Sequence, residues 1–228
     1  RLRKGPVIAA IYPVAFLLVQ LILAGLAGWI GFLLVRSVWH RIFCGAESGT
    51  SDCAFAPYGT FVAAAALAVV AWGVLEWFRR RDNRFFAYYL MHDYAYFARH
   101  KGGSPPELDA RLSEFSAEIA EALKGDTEEV LIVGHSSGAH LGVSILADLV
   151  RSGKVPPDGP ALSFLSLGQV VPMVSFLPMA HRLRADLRFL STRSELTWID
   201  VTAPGDGAAF ALCDPVAVSG VAPKDQRW

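Results

Sequence analysis

Two long apolar runs near the start of the chain restrict its folding more than any other feature. Residues 7–35 form a run of 29 with no charged side chain and one strongly polar one, Gln20. As a helix this run would be about 43 Å long, against roughly 30 Å of bilayer hydrocarbon, so it is expected to tilt or to kink at Pro13. Residues 61–78, FVAAAALAVVAWGVLEWF, form a second run of 18, about 27 Å of helix and just enough to span. Trp72, Trp77 and Phe78 gather toward its end, where amphipathic rings favour the interface, and Glu76 lies near enough to that end to reach headgroups. The first run far exceeds the roughly 7–15 apolar residues of a signal peptide, and a second span follows it, so a transmembrane hairpin is expected. Ala24/Gly28, Ala27/Gly31 and Ala64/Ala68 recur at helical spacing. Such pairs let backbones approach in lipid, although Gly and Ala are common in spans in any case.

Composition agrees with a membrane segment. Hydrophobic residues make up 53% of the 228 and charged residues 18%, below the charged share of about 25% in soluble domains. Lys plus Arg and Asp plus Glu each total 21. That balance argues against general nucleic-acid binding, which needs a basic surface, and the apolar content excludes a disordered chain. Three cysteines are too few for a disulfide scaffold, and no Cys/His spacing fits zinc, so no metal is expected.

The flanking charges set an orientation. Arg1, Arg3 and Lys4 precede the first run, and Arg79, Arg80, Arg81 and Arg84 follow the second. The connecting loop, 36–60, has Arg36 and Arg41 near the membrane and then Glu47 and Asp52. Lys and Arg mark the cytoplasmic side, so both termini are expected inside and the loop outside, in a bacterial cytoplasmic (inner) membrane. Cys44 and Cys53 both fall in that external loop. An oxidising compartment would allow them a disulfide, the alternative being two unpaired thiols, while Cys213 on the inner side stays reduced.

From Arg79 the texture becomes that of an α/β chain, giving a hairpin over 1–84 and an α/β domain over 85–228. Residues 85–97, FFAYYLMHDYAYF, read as an interfacial helix, the alternative being a strand. Ser104-Pro105-Pro106-Glu107 reads as a capping box, and Leu108, Leu112, Phe115 and Ile119 give one apolar face of a helix ending near Lys124-Gly125. Residues 129–133, 161–167 and 196–201 read as strands, and 137–151 and 181–190 as helices. A continuously apolar strand such as EVLIV suits a parallel sheet covered on both faces, and the alternation suits a doubly wound layer. Three strands make a thin sheet. With Arg1 at one end and Gln226-Arg227-Trp228 at the other, the chain is expected to be a portion of a longer protein that holds the remaining strands.

The chemistry concentrates in Gly134-His135-Ser136-Ser137-Gly138, a G-x-S-x-G between an apolar strand and an amphipathic helix. A sharp turn there strains the central serine and lifts its hydroxyl to the helix N-terminus, with Gly134 and Gly138 leaving room for the chains to cross. The Ser137 N–H would be one oxyanion donor. A glycine-rich turn without chemistry is the alternative. No phosphate-cradle spacing is present, which argues against a nucleotide site.

VLIVGHSSGAHLGVSILADLV resembles the nucleophile strand, elbow and following helix of the α/β-hydrolase fold family, over roughly residues 105–215. The resemblance implies a partial parallel sheet of that type, acyl transfer through a Ser136 ester without a cofactor, and a triad in chain order Ser, acid, His. Asp206 in APGDG is the first candidate acid, then Asp200 and Asp214. Asp beside Gly or Pro is also common turn chemistry. The departure from the family is histidine: His40, His92, His100, His135, His140 and His181 all precede the candidate acids. His135 and His140 are expected to pack or support. Residues 168–179, GQVVPMVSFLPM, would line an acyl pocket, form a cap, or fill the core. Together these features imply a membrane-anchored serine hydrolase acting on an ester or thioester, with a membrane lipid as substrate or partner. The alternative is a non-catalytic, hydrolase-like subunit whose spans pack against other membrane proteins.

Overall fold

The computed structural model describes residues 5–44, 54–203 and 205–224. The chain divides into two compact units, Ile11–His92 and Asp93–Trp228, the latter counted with Arg1–Ala10.

The first unit is built on two helices, α1 (Gly5–Phe43) and α2 (Ala56–Arg80). Both are long and apolar enough to cross a membrane, and α1 runs without interruption through Pro13. They pair antiparallel along small residues. A Cβ on Gly28 would lie 2.8 Å from the Leu67 carbonyl oxygen, and one on Gly59 would lie 2.3 Å from the Trp39 ring. Ala24 and Ala63 are buried at the same seam. The close-approach pair on α2 is therefore Gly59/Ala63, not Ala64/Ala68, whose side chains are exposed. Spacing alone gave the right period on that helix and the wrong face. Cys44 is disulfide-bonded and Cys213 is a free thiol; Cys53, the expected partner of Cys44, lies outside the described residues.

A short helix α3 (Asp82–Phe85) and a longer α4 (Ala87–Arg99) follow. Phe86 between them is left-handed, with φ 55°. Asp82 stabilises the turn by accepting from the N–H groups of Tyr88 and Tyr89 at 3.0 and 2.9 Å. This caps the first turn of α4, as a carboxylate does at a helix N-terminus.

The second unit is mixed α/β. Its sheet is β1 (Glu129–His135), β2 (Ala161–Leu167) and β3 (Thr197–Val201), all parallel, in the order β1-β2-β3. Three longer helices accompany it: α5 (Pro106–Ala122), α6 (Ser137–Arg151) and α8 (His181–Leu190), with short α7 (Val171–Ser175) and α9 (Pro215–Val218). Leu162 and Phe164 of β2 meet Val143, Leu146 and Ala147 of α6 and Leu183, Leu187 and Leu190 of α8 in one core. Gly142 lets α6 seat on the sheet, since a Cβ there would lie 2.7 Å from the Phe164 ring. Arg182 of α8 bonds Asp109 of α5 and Asp148 of α6, and Arg151 of α6 bonds the buried Asp186 of α8 at 2.5 Å.

Two expectations need correction. Ser104 does not cap α5: the N-cap is Pro105 without a side-chain bond, Pro106 is the first helical residue, and the Ser104 hydroxyl donates to Asp109. The sheet is also not covered on both faces by described residues. Leu131 and Val133 of β1 and Ile199 of β3 are each more than half exposed, on the face away from Leu162 and Phe164. Strand order β1-β2-β3 explains this: successive right-handed crossovers in one direction place their helices on the same side.

Candidate active site

Strand β1 ends and α6 begins within two residues, and Ser136 is the corner. Its φ of 53° and ψ of −118° lie outside the regions that a side chain with a Cβ normally occupies. Such strain persists only where the surroundings enforce it. Here the Ser136 N–H donates to the Leu167 carbonyl of β2 at 2.9 Å, and its own carbonyl accepts from Ala139 at 3.1 Å. Gly134 makes the crossing possible: a Cβ there would lie 2.7 Å from the Gly138 oxygen and 2.9 Å from the Ala139 Cα. Gly138 differs from expectation. A Cβ on it would meet nothing within 4 Å, so the space requirement falls on Gly134 alone.

This geometry predicts an asymmetry between two removals of the hydroxyl. Ser136→Gly relieves the backbone strain, whereas Ser136→Ala keeps it. The glycine variant is expected to be about 1–3 kcal/mol more stable than the alanine variant, measured by denaturant unfolding of the detergent-solubilised chain.

Ser137 is the first residue of α6, where N–H groups lack intrahelical acceptors and the helix dipole favours negative charge. Its hydroxyl donates to Asp93 of α4 at 2.8 Å. Burial raises the Asp93 pKa, and the Ser137 bond offsets this in part. Asp93 is a site neighbour that sequence reasoning missed: the two residues are 44 apart, and no local pattern links them.

The candidate acids all come from β3 or the segment after it. Asp200, at the end of β3, accepts from Ser166 of β2 at 2.5 Å, and Ser166 in turn accepts from Trp198 Nε1 at 2.9 Å. Burial raises the Asp200 pKa. Asp206 follows β3 and accepts from the N–H groups of Ala208 and Ala209 at 2.9 and 3.2 Å. Its other carboxylate oxygen points toward Gly168, lying 3.1 Å from where a Cβ on that residue would be. Asp214 caps α9 through Val216 and Ala217. Parallel pairing brings the ends of β1, β2 and β3 to one edge. Ser136, Gly168 and Asp206 therefore share the carboxyl edge, where open α/β sheets bind ligands.

Gln169, fully buried, holds this edge together and was also missed. Its amide donates to the Phe210 and Cys213 carbonyls, and its side-chain oxygen accepts from Val171. The segment 168–179 splits accordingly: Val171, Pro172 and Val174 of α7 are buried, while Phe176 and Met179 are exposed.

Among the described residues, no histidine is hydrogen-bonded to Ser136 or Asp206. His140 is buried against the edge of the Phe97 ring at 4.8 Å with neither ring nitrogen bonded, a packing position as expected. Nor do the described residues hold a cluster of three or more His, Cys, Asp or Glu suited to a metal. No protein-family model, curated protein or solved structure matches this chain.

Proposed function

We propose that the chain is a membrane-anchored serine hydrolase of α/β-hydrolase type that cleaves an ester or thioester through an acyl-enzyme on Ser136. One observation carries the reading: a non-glycine residue strained at a strand-to-helix corner, with its hydroxyl at the start of a 15-residue helix. Strain of this kind gathers at functional sites, and a strand–elbow–helix serine is the form that nucleophilic acyl transfer takes on this architecture.

In this reaction Ser136 Oγ attacks the substrate carbonyl carbon while its proton passes to a histidine base. The tetrahedral oxyanion accepts the N–H of Ser137. The intermediate then collapses to the Ser136 ester, and the alcohol or thiol leaves with that proton. Water, deprotonated by the same base, attacks the ester and releases the acid. Asp206 is the residue we assign to orient the base, by its place after β3. The resemblance orders the base after the acid, and none of the six histidines of residues 1–228 does follow Asp206.

The two apolar helices support anchoring in a bacterial cytoplasmic membrane, multi-pass, with both termini and the hydrolase-like unit on the inner side. That location favours an acyl lipid or similar apolar ester as substrate. The competing reading, a non-catalytic hydrolase-like subunit bound to other membrane proteins through its hairpin, draws on the lack of a described histidine bonded to Ser136. Hydrolysis of p-nitrophenyl esters by the full-length protein in nanodiscs separates the two. The enzyme reading expects turnover that rises from acetate to octanoate and is lost in Ser136→Ala. Turnover unchanged in Ser136→Ala would reject Ser136 as nucleophile.

A further inference from the structure

We infer that the Arg79–Arg84 end of the hairpin is a docking surface for the headgroups of anionic phospholipids. The inference rests on the hairpin spanning a bilayer, and it adds a preference for lipid charge that spanning does not require.

The observations lie within the first unit. Around the end of α2 a collar of rings is locked together: Phe16 of α1 meets Phe78 of α2 edge-on at 5.9 Å and Phe85 of α3 at 4.9 Å. Tyr12 of α1 donates to the Phe85 carbonyl at 2.8 Å. Trp77, Phe86 and Tyr89 remain exposed at this level, as rings do at a headgroup interface. A second ring group, Trp39, Phe43, Phe55 and Tyr58, marks the other end of the hairpin. From Tyr58 to Trp77 is about 28 Å of helix, close to the roughly 30 Å of bilayer hydrocarbon.

Charge on the first collar is unequal. Glu76 is taken up by Arg79 and Arg80, at 2.7 and 2.9 Å. Asp82 is taken up by backbone N–H groups of α4. Arg81 and Arg84 therefore remain in excess. The Arg81 guanidinium, half-buried, lies over the Trp77 ring at 4.2 Å, and Arg84 is exposed on α3. A guanidinium donates two parallel N–H bonds to a phosphate diester, and the exposed Trp77 beside it suits acyl chains. The partner that fits both is an acidic phospholipid in the leaflet at this end.

The test uses the whole chain in phosphatidylcholine nanodiscs carrying a minor fraction of brominated phosphatidylglycerol, with tryptophan quenching as readout. The expected result is preferential quenching by the brominated anionic lipid over brominated phosphatidylcholine. The preference should fall about tenfold in Arg81→Gln/Arg84→Gln and should weaken with salt. Arg84→Gln alone, at an exposed position that leaves the Trp77 stack in place, should lose part of it. Flotation with pure phosphatidylcholine vesicles is the companion measurement. A chain that does not float overturns the spanning reading together with the inference. A chain that floats but shows no anionic preference, or one unchanged in the double variant, overturns the inference alone.

Discussion

Acidification is expected to remove on the order of 5 kcal/mol of stability through one side chain, His140, as pH falls from 6.5 toward 3. His140 lies on α6, 3% exposed, against Phe97. It lines a cavity of about 30 Å³ with Arg182 and Ser144. Burial holds its pKa down to about 3, from an ordinary 6.5. The sign follows from linkage. The unfolded chain takes up a proton near 6.5 and the folded chain does not, so the contribution is complete above 6.5 and is lost as pH falls toward 3. By pH 4 the loss should be about 3 kcal/mol. Asp93, Asp186 and Asp200 work in the opposite direction. Burial raises their pKa values, so their contribution is present in acid and is lost as pH rises through the raised values. They do not account for acid lability. Denaturant unfolding at pH 7 and pH 4 checks this: His140→Leu should flatten the difference, and equal acid losses in both proteins would contradict it.

Gly134→Ala is expected to cost 3 kcal/mol or more, estimated roughly from overpacking against backbone, and to reduce Ser136 reactivity by about a hundredfold or more. The new methyl would press on the Gly138 oxygen and the Ala139 Cα at 2.7 and 2.9 Å. Neither atom is the end of a flexible side chain. Relief requires moving α6 away from β1, and the Ser136 hydroxyl moves with it. Gly138→Ala is the matched control. Its methyl enters open space, and alanine favours a helical position by about 1 kcal/mol over glycine. Unfolding midpoints and probe-labelling rates of the two variants should therefore diverge; similar values would refute the crossing geometry.

Which features could be read from the sequence follows from where their causes lie. Strands 161–167 and helices 137–151 and 181–190 coincide with β2, α6 and α8, because apolar runs and 3.6-residue periods are local properties. The corner at Ser136 was legible for the same reason: strand, glycines and helix are contiguous. The Asp93–Ser137 bond and the Gln169 hub were not, since each joins segments about 40 residues apart. A glutamine in GQVV gives no sign that it will satisfy the Phe210 and Cys213 carbonyls. The α2 seam shows a subtler limit. Gly59 and Ala63 have the same four-residue spacing as Ala64 and Ala68, and only the contact with Trp39 distinguishes the buried pair. The uncovered sheet face is a consequence of strand order, which periodicity does not encode.

The acid site tests the same division. Asp206 and Asp214 carry out the turn and capping chemistry that Asp beside Gly or Pro suggests. Asp200 is held by a neighbouring strand's serine. Chain order is what assigns Asp206 in the proposal, and the residue lies at the carboxyl edge beside Gly168.

The central claim is that Ser136 is an activated nucleophile, and a fluorophosphonate probe tests it most directly. Such probes phosphonylate a serine only when a base has made it nucleophilic. The full-length protein, labelled in membranes, should take up one probe, located on Ser136 by peptide mass spectrometry and absent from Ser136→Ala. A folded wild-type protein that takes up no probe, or that carries it on another residue, would contradict the account.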